Sequence, residues 1–353
     1  MLNFVHLLLI TFVFIPSLSI AMTAKLRTSS QSRSAGRIEL FFKGPAELKE
    51  RVRFLRSNGI TSFNLVNKDK KDTMEKWVNS IREVYPEANI SAHYSLKHNK
   101  VPRKGIEAHC GLLLKNLKRS KADEILLVSG GGDKKAWNTV EALKSVQRAT
   151  NSALTAKTTS FPKLAVAYNP YFPSREDQEV EDLRLKEKIA TGCVSKIYLQ
   201  FGTDMDCLKR GLDFIRNNAG TDVAIAGSLF LPTKKLIAQQ KFRPWNGVFL
   251  SSNFLNGPEE ATAIILEMMK VYKANNVEML WEAPGIRTDN DMGIVRELFN
   301  DAGLSCVFED CDENNNGNAN SKGASIKRTP ACETKSVKSN TTASKRLKQS
   351  AIQ

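Results

Sequence analysis

From Arg37 onward the chain alternates short runs of aliphatic and β-branched residues with longer segments of helical periodicity. This order is typical of βα units around a parallel sheet, because two parallel strands need a crossover long enough to hold a helix. Eight apolar runs are predicted to be strands, over residues 37–42, 61–66, 89–94, 124–129, 164–168, 196–201, 223–227 and 277–281. Eight units in about 270 residues match the size of a (β/α)8 barrel, and a doubly wound open sheet is the alternative.

Helical segments lie between most of these runs. They are predicted at 45–56, at 72–84, around 111–114, and at 136–148, 176–190, 205–217 and 258–274. The stretch 242–255, between the seventh and eighth strands, contains Trp245 and Phe249 but has no clear helical period. We interpret this stretch as an elaboration beside the barrel.

Residues 1–22 are predicted to be a cleavable signal peptide. An apolar run over residues 7–15 ends at Pro16 and is followed by small residues up to Ala21. The run is too short to span a bilayer, so we expect no stable membrane anchor after cleavage. Residues 23–36 are a transit-like leader, rich in Ser and Arg and free of acidic residues. The leader predicts an organelle reached through the secretory route, such as a complex plastid, with secretion or the ER lumen as the alternative.

The carboxy-terminal segment 311–353 changes composition to Asn, Ser, Thr and Lys with few apolar residues. Such a segment cannot bury enough apolar surface to offset the entropy lost on ordering, so we predict a disordered basic tail. Residues 37–310 then remain as a single barrel domain.

The formal net charge of +15 lies mostly at the two ends of the chain. Residues 1–38 contribute +4 and residues 321–353 contribute +7, which leaves only +4 for the middle. A nearly balanced middle is a poor surface for tracking phosphates, so we expect no nucleic-acid binding. The six cysteines form no CxxC pair and the four histidines have no metal-binding spacing, so neither a disulfide framework nor a metal site is expected.

Glu39 is the first candidate for chemistry, because it lies within the apolar first strand. Apolar surroundings favour the neutral form of a carboxyl and so raise its pKa. A Glu with a pKa near 4.3 is almost fully ionised at pH 7, whereas one raised to about 6–7 keeps the proton that a general acid needs. A salt-bridged or solvent-facing Glu39 on an alternating strand is the alternative.

Three further groups fall at predicted strand ends, which form one rim in a parallel barrel. They are His93, Gln200 and the turn Ser-Gly-Gly-Gly-Asp at 129–133. Consecutive glycines let backbone amides approach a ligand closely, and Asp133 places a carboxylate after them. A bare glycine turn, and purely structural hydrogen bonds from His93 and Gln200, are the alternatives.

Four segments together resemble methylenetetrahydrofolate reductase, the flavoprotein of one-carbon metabolism. They are Ile-Glu-Leu-Phe-Phe at 38–42, Ser-Ala-His-Tyr-Ser at 91–95, Leu-Val-Ser-Gly-Gly-Gly-Asp at 127–133, and the run 165–204. In the last run, Val-Ala-Tyr at 166–168, Leu-Lys-Glu-Lys-Ile-Ala-Thr-Gly at 185–192 and Leu-Gln-Phe at 199–201 keep the order of the family motif, with one extra residue before Gln200. The likeness covers residues 36–305, thinly after 230, and resembles the short form without a regulatory domain.

The resemblance implies that FAD lies across the barrel mouth and passes a hydride from NADH or NADPH to 5,10-methylenetetrahydrofolate, giving 5-methyltetrahydrofolate. It implies that Glu39 is the general acid that helps to open the folate ring, and that Asp133 is a second catalytic carboxylate near flavin and pterin. The implied FAD contacts are His93, Gly131, Gly132, Asp133, Tyr168, Glu181, Arg184 and Lys188. The implied substrate contacts are Gln200 and Arg287. The oligomeric state stays open, a homo-oligomer included.

Several positions depart from the family pattern. Val66 and Asn67 replace a Thr-Tyr pair, Gly131 replaces an Arg, Phe172 replaces a His and Glu181 replaces an Asp. These changes keep two other functions open. One is a diverged barrel that binds flavin or folate without turnover, and the other is a flavin barrel of the proline dehydrogenase type.

Overall fold

A computed structural model describes residues 36–67, 74–98, 106–129, 138–154, 163–282 and 286–304. The signal peptide, the transit-like leader up to residue 35 and the basic tail 311–353 lie outside these described residues, and they stay predictions. The glycine turn after residue 129 also lies outside them, together with Gly131, Gly132 and Asp133.

Eight parallel strands form a closed barrel in which the first strand pairs with the second and with the last. The closed sheet confirms the (β/α)8 barrel and excludes the doubly wound alternative. The strands are β1 (Arg37–Leu40), β2 (Ser62–Leu65), β3 (Asn89–Ser95), β4 (Glu124–Val128), β5 (Lys163–Tyr168), β6 (Val194–Leu199), β7 (Ala224–Leu229) and β8 (Val277–Trp281).

Helices connect the strands, as the alternation predicts. They are α1 (Pro45–Ser57), α2 (Met74–Arg82), α3 (Ile106–Arg119), α4 (Thr139–Leu154), α5 (Arg175–Ala190), α6 (Met205–Ala219), α7 (Lys234–Phe242), α8 (Ser252–Asn256), α9 (Pro258–Ala274) and α10 (Asp289–Asp301). The predicted bounds of β8 and α9 are confirmed, whereas α7, α8 and α10 were not predicted.

Helix starts follow from the local sequence. The side chains of Ser174 and Asp204 accept hydrogen bonds from backbone amides in the first turns of α5 and α6. Thr288 and Asp291 form a reciprocal capping box at the start of α10. Because these caps satisfy amides that have no partner within the helix, they determine where each helix begins after its strand.

Strand residues alternate between two environments. One set faces the helices and belongs to a large apolar cluster that includes Ile38, Leu40 and Val166. The other set faces the barrel axis, where Leu126, Ala165 and further small or apolar side chains form a second cluster. Side chains two apart on a strand share a face, so each strand presents its odd or even positions to the interior.

The stretch 242–255 lies beside the ends of β5 and β6, as interpreted from the sequence. Phe249 forms an isolated parallel bridge with Gly202, and Asn169 donates a hydrogen bond of 3.0 Å from its amide nitrogen to the carbonyl of Gly247. The segment contains the short helix α8 rather than continuous irregular structure.

The amino-terminal end of the barrel interior is closed by charged and polar side chains. We call this set the polar floor, and it consists of Arg37, Asn89, Glu124, Lys196, Tyr198 and Glu278. Lys196 Nζ lies 3.4 Å from Glu124 Oε2 and 2.9 Å from Glu278 Oε2, so one ammonium is shared by two carboxylates. Tyr198 donates to Glu124 Oε1 at 2.6 Å.

Arg37 completes the polar floor. In the sequence Arg37 belongs to the basic charges at the amino-terminal end, but its side chain is only 2% exposed. Its guanidinium donates to Asn64 Oδ1 and Asn89 Oδ1, each at 2.7 Å, and lies 3.5 Å from Glu278 Oε1. A buried guanidinium needs partners for nearly all of its N–H groups, and the floor supplies them.

We expect Lys196→Met to destabilise the barrel, because it leaves Glu124 and Glu278 without the ammonium that they share. Removing one partner of a buried ion pair costs about 3–5 kcal/mol, and we expect the free energy of unfolding to fall by about 3 kcal/mol because Glu278 is partly exposed. Denaturant unfolding measures the change. Lys209→Met on the exposed face of α6 is the control and should change stability by less than about 0.5 kcal/mol. A loss no larger than the control's would contradict the role of the floor.

Candidate functional site

Glu39 lies inside the barrel near the carboxyl ends of the strands, which we call the barrel mouth. It follows Arg37 on the same face of β1 and pairs in register with Asn64 of β2. Its side chain is 5% exposed. The alternative of a solvent-facing Glu39 is therefore wrong, and the carboxyl has the buried, inward position that the sequence analysis requires of a general acid.

Glu282 is a second carboxyl at the mouth, which the sequence analysis missed. It follows β8, and its backbone amide donates 2.9 Å to the carbonyl of Leu229, so it continues the ladder with β7. Its Oε1 lies 2.5 Å from the hydroxyl of Ser228. Burial raises the pKa of Glu282 to about 7. The sequence contains a signal for Glu282, because it is a polar residue directly after an apolar strand. The same pattern identified Gln200.

The register brings the two carboxyl residues side by side. Ile38 of β1 pairs with Trp281 of β8, so the next residues along the two strands are Glu39 and Glu282. Arg37 and Leu280 precede them on the inward face. Neighbouring strands lie about 4.8 Å apart, so both side chains enter the same part of the interior.

His93 lies within β3 and not at its end, because the strand continues to Ser95. Its ring is 6% exposed and faces the interior. Asn64 Oδ1 accepts from Arg37 Nε at 2.7 Å, so the Asn64 amide nitrogen is the atom 3.3 Å from His93 Nε2. That nitrogen donates, so Nε2 accepts and the proton of the neutral ring lies on Nδ1.

His93 is thus held as a neutral donor. Burial, and then the positive charge of Arg37, lower its pKa to about 4. Within the described residues, buried Nδ1 has no hydrogen-bond partner. A buried N–H without an acceptor is costly, which makes it a natural contact for an acceptor atom of a ligand.

Gln200 follows β6 directly and continues the inward face after Tyr198. Its backbone amide donates to the carbonyl of Tyr168 at 2.9 Å, and its side-chain oxygen accepts from the amide of Phe201 at 3.0 Å. Phe172, which stands where the resemblance expects a His, packs on Phe249 with ring centroids 5.5 Å apart. Phe172 therefore supplies an aromatic contact instead of a titratable group.

Four of the implied FAD residues lie on the other side of the sheet, between β5 and α5. Tyr168 faces the helices and donates to Asp182 Oδ1 at 2.7 Å. Lys188 Nζ donates to the carbonyl of Ala167 at 2.9 Å, and burial lowers its pKa. Glu181 lies 3.9 Å from Lys188 and 3.7 Å from Arg184, whose side chain is mostly exposed. The structure groups these four residues with one another but not with Glu39 and His93.

Arg287 lies on the exposed segment before α10. Its backbone amide donates to Asp291 Oδ2 at 2.9 Å. After burial, its charge is the largest influence that lowers the pKa of Arg51 on α1, so its guanidinium lies near that helix. Asn67 accepts from the backbone amide of Ser95 at 3.2 Å and so ties the end of β2 to the end of β3, while Val66 is buried.

Within the described ranges, no three His, Cys, Asp or Glu side chains come together in a way that could hold a metal ion. None of the helices in the same ranges combines the length and the apolar character needed to cross a membrane.

Comparison with known proteins finds similarity in structure only. No family model and no curated protein sequence matches the chain. Among solved structures, the chain is similar to a protein of Clostridium thermocellum that binds two copies of 5-methyl-5,6,7,8-tetrahydrofolic acid, with 14% identity, 77% of this chain and 97% of that chain covered, and a TM-score of 0.50.

Two further structures align over most of the chain at lower TM-scores. Dihydropteroate synthase from Thermus thermophilus is 11% identical, with 78% and 93% of the two chains covered and a TM-score of 0.41. Type I 3-dehydroquinate dehydratase from Clostridium difficile is 9% identical, with 75% and 92% covered and a TM-score of 0.43. At 14% identity, the likeness to the Clostridium thermocellum protein shows the barrel fold alone.

We expect His93 to remain neutral with its proton on Nδ1 down to about pH 4. Because an unfolded His binds its proton near pH 6.5 and the folded one does not, stability should fall as the pH drops from 6.5 toward 4. Nitrogen-detected NMR of the imidazole ring reports tautomer and pKa, and His93→Gln assigns the signal. A ring that titrates near 6.5, or carries its proton on Nε2, would show that the Arg37–Asn64 contact does not control it.

Proposed function

We propose that the barrel mouth binds a reduced folate and that the chain reduces 5,10-methylenetetrahydrofolate to 5-methyltetrahydrofolate, with FAD as cofactor and NADH or NADPH as hydride source. The observation that carries the proposal is the buried, inward carboxyl of Glu39 at the mouth, in the same interior as the N–H donor of His93. The folate bound by the similar Clostridium thermocellum barrel supports the ligand class.

The polar groups of the mouth suit a pterin. A pterin ring is planar and presents both N–H donors and carbonyl or ring-nitrogen acceptors along one edge. Carboxyl groups at Glu39 and Glu282 can accept from the donors. The amide of Gln200 adds a group that can do either.

Glu39 has the environment of a proton donor. In the proposed reaction a folate nitrogen takes a proton as its bond to the bridging carbon opens, and the carbon becomes able to accept hydride. A carboxyl within the barrel interior favours its neutral form, which can supply that proton. The apolar side chains of Leu126, Ala165 and Leu280 lie below the mouth and keep water from the interior.

The inward residues fit the ring end of FAD, because His93 offers an N–H without a protein acceptor in the described part of the chain. Arg184 is exposed and suits the charged end of the cofactor. When bound, FAD would accept hydride from the nicotinamide and deliver it to the folate. Tyr168 and Lys188 already donate to Asp182 and Ala167, so they would hold FAD only after exchanging those bonds.

A second function is folate binding without turnover. It is favoured by the hydrogen bonds that already occupy Tyr168 and Lys188. Tyr168 is 2% exposed and Lys188 is tied to the backbone of β5, so neither presents a polar atom outward. A barrel of this kind would bind folate at the mouth, through Glu39, His93 and Gln200. It would not use Tyr168 and Lys188 to hold FAD.

The test is a titration of the purified full chain, reconstituted with FAD, first with NADPH or NADH and then with 5,10-methylenetetrahydrofolate under anaerobic conditions. We expect the visible flavin absorbance to bleach with nicotinamide and to return with folate. Glu39→Gln should still bleach but should lose about 100-fold to 10,000-fold in the rate of the folate step, because it has no proton to give.

Glu267→Gln on the exposed face of α9 is the matched control and should behave like the unchanged protein. Calorimetry with 5-methyltetrahydrofolate separates the two functions. Folate binding without a bound flavin would favour the binding barrel, whereas a protein that binds neither folate nor flavin would contradict both.

A further inference from the structure

We propose that the side-chain amides of Asn169 and Gln200 form, with Gly247, a site that binds an acceptor oxygen of the ligand. We call this site the amide notch. It takes an oxygen that only accepts hydrogen bonds, carried by the ring carbonyl of a heterocycle or by a carboxylate. The inference deepens the proposed function and rests on it for the identity of the ligand as a folate. The notch itself rests on strand register and hydrogen-bond geometry.

The register places the two amides side by side at the mouth. Tyr168 of β5 pairs with Leu199 of β6. The next residues along these adjacent strands are therefore Asn169 and Gln200. Tyr168 and Leu199 belong to the apolar cluster that faces the helices, so strand alternation turns the residues that follow them toward the barrel axis.

Backbone hydrogen bonds orient both amides. The side-chain oxygen of Asn169 accepts from the backbone amide of Tyr171 at 3.1 Å. The side-chain oxygen of Gln200 accepts from the backbone amide of Phe201 at 3.0 Å. Because the oxygen of each amide is held by the chain that follows its strand, the nitrogen points in another direction. Asn169 Nδ2 uses one N–H on the carbonyl of Gly247, at 3.0 Å.

The remaining N–H groups of the two nitrogens have no acceptor among the described residues. Each side-chain amide carries two N–H donors. Within the described ranges, Gln200 Nε2 makes no hydrogen bond, and Asn169 Nδ2 makes only the one to Gly247. Asn169 is only 9% exposed. A donor that is held out of water without an acceptor costs free energy, and a ligand oxygen removes that cost.

Gly247 leaves room for the ligand oxygen beside the two nitrogens. A Cβ built on Gly247 would lie 3.8 Å from Gln200 Nε2 and 3.9 Å from Asn169 Nδ2. Among the described residues, no other atom beyond the chain neighbours of Gly247 would lie within 4 Å of it. The φ of Gly247 is +78°, a conformation that favours glycine. The missing side chain therefore leaves a small space that both nitrogens border.

The charge of the surrounding chain favours an acceptor oxygen. Residues 223–258, which include Gly247, contain four Lys or Arg and no Asp or Glu. Their positive potential opposes a cation and attracts a carboxylate or the negative end of a carbonyl. Since the two nitrogens can only donate, the notch selects an oxygen without a hydrogen.

The position of the notch orients the ligand. In a closed barrel of eight strands, β5 lies opposite β1, so Asn169 and Glu39 border opposite sides of the mouth. An oxygen held in the notch directs the rest of the ligand toward Glu39, the proposed proton donor. Asn169 and Gly247 are thus positioning residues for the reaction, in addition to Gln200.

The experiment is proton–nitrogen NMR of the side-chain amides in the full chain, with two halves of a folate as separate probes. 6-Methylpterin carries the ring carbonyl and no carboxylate, whereas p-aminobenzoyl-L-glutamate carries the carboxylates and no pterin ring. We expect one probe to shift the NH2 signals of both Asn169 and Gln200, and that probe identifies the source of the oxygen. Asn169→Ser and Gln200→Glu assign the two signals.

Gly247→Ala tests the space without removing a donor. Its methyl group occupies the notch, so we expect the dissociation constant of that probe to rise about 10-fold or more. Gly192→Ala is the matched control, because Gly192 has a φ of +67° and an added Cβ there meets nothing within 4 Å. The control introduces the same kind of backbone strain and should leave the dissociation constant unchanged. Gln200→Glu, which replaces the donor nitrogen with an oxygen, should raise it about 10-fold to 100-fold.

An unchanged dissociation constant in either folded variant, Gly247→Ala or Gln200→Glu, would overturn the notch. So would shifts confined to one of the two amides, or a protein that binds neither probe. Circular dichroism verifies folding, and if Gly247→Ala does not fold, Gln200→Glu and the NMR shifts decide the outcome.

Neither probe needs a flavin, so the test is independent of reductase turnover. Probe binding through the notch in a protein that does not reduce folate would remove the proposed reaction and leave the notch. Folate turnover in a protein whose two NH2 signals stay unmoved would do the reverse.

Discussion

The buried guanidinium of Arg37 is the charge on which the arrangement of the barrel interior depends. It cannot lose its proton, and it lies almost completely out of water. Its partners come from three other strands: Asn64 on β2, Asn89 on β3 and Glu278 on β8. Arg37, at the first position of β1, therefore links β8 to β2 and β3 at the place where the barrel closes.

The same guanidinium links the structural end of the barrel to the mouth. By donating to the oxygen of Asn64 it turns the amide nitrogen toward His93, which places the imidazole proton on Nδ1. It also lowers the pKa of that ring, after burial. Arg37, which belongs to the polar floor, thus determines which nitrogen of His93 donates a hydrogen bond at the mouth.

Much of the fold could be predicted from the sequence, because parallel βα units are local. The runs 277–281 and 258–274 carry their own periodicity, and their bounds as β8 and α9 are confirmed. The helices α7, α8 and α10 were missed. The last of these begins at a capping box, Thr288 with Asp291, which was a local signal that the sequence analysis did not use.

Within the candidate site, the sequence alone determined that Glu39 lies in an apolar first strand, and it left open whether the side chain faces the interior or the solvent. Only the tertiary structure decided that Glu282 is its neighbour, because closure of the sheet pairs the first strand with the last. It also decided that the side chains of Tyr168 and Lys188 lie between β5 and α5 and not at the mouth. Local periodicity records which residues are buried, but the partner across a strand pair and the direction of a hydrogen bond depend on how the strands meet in space.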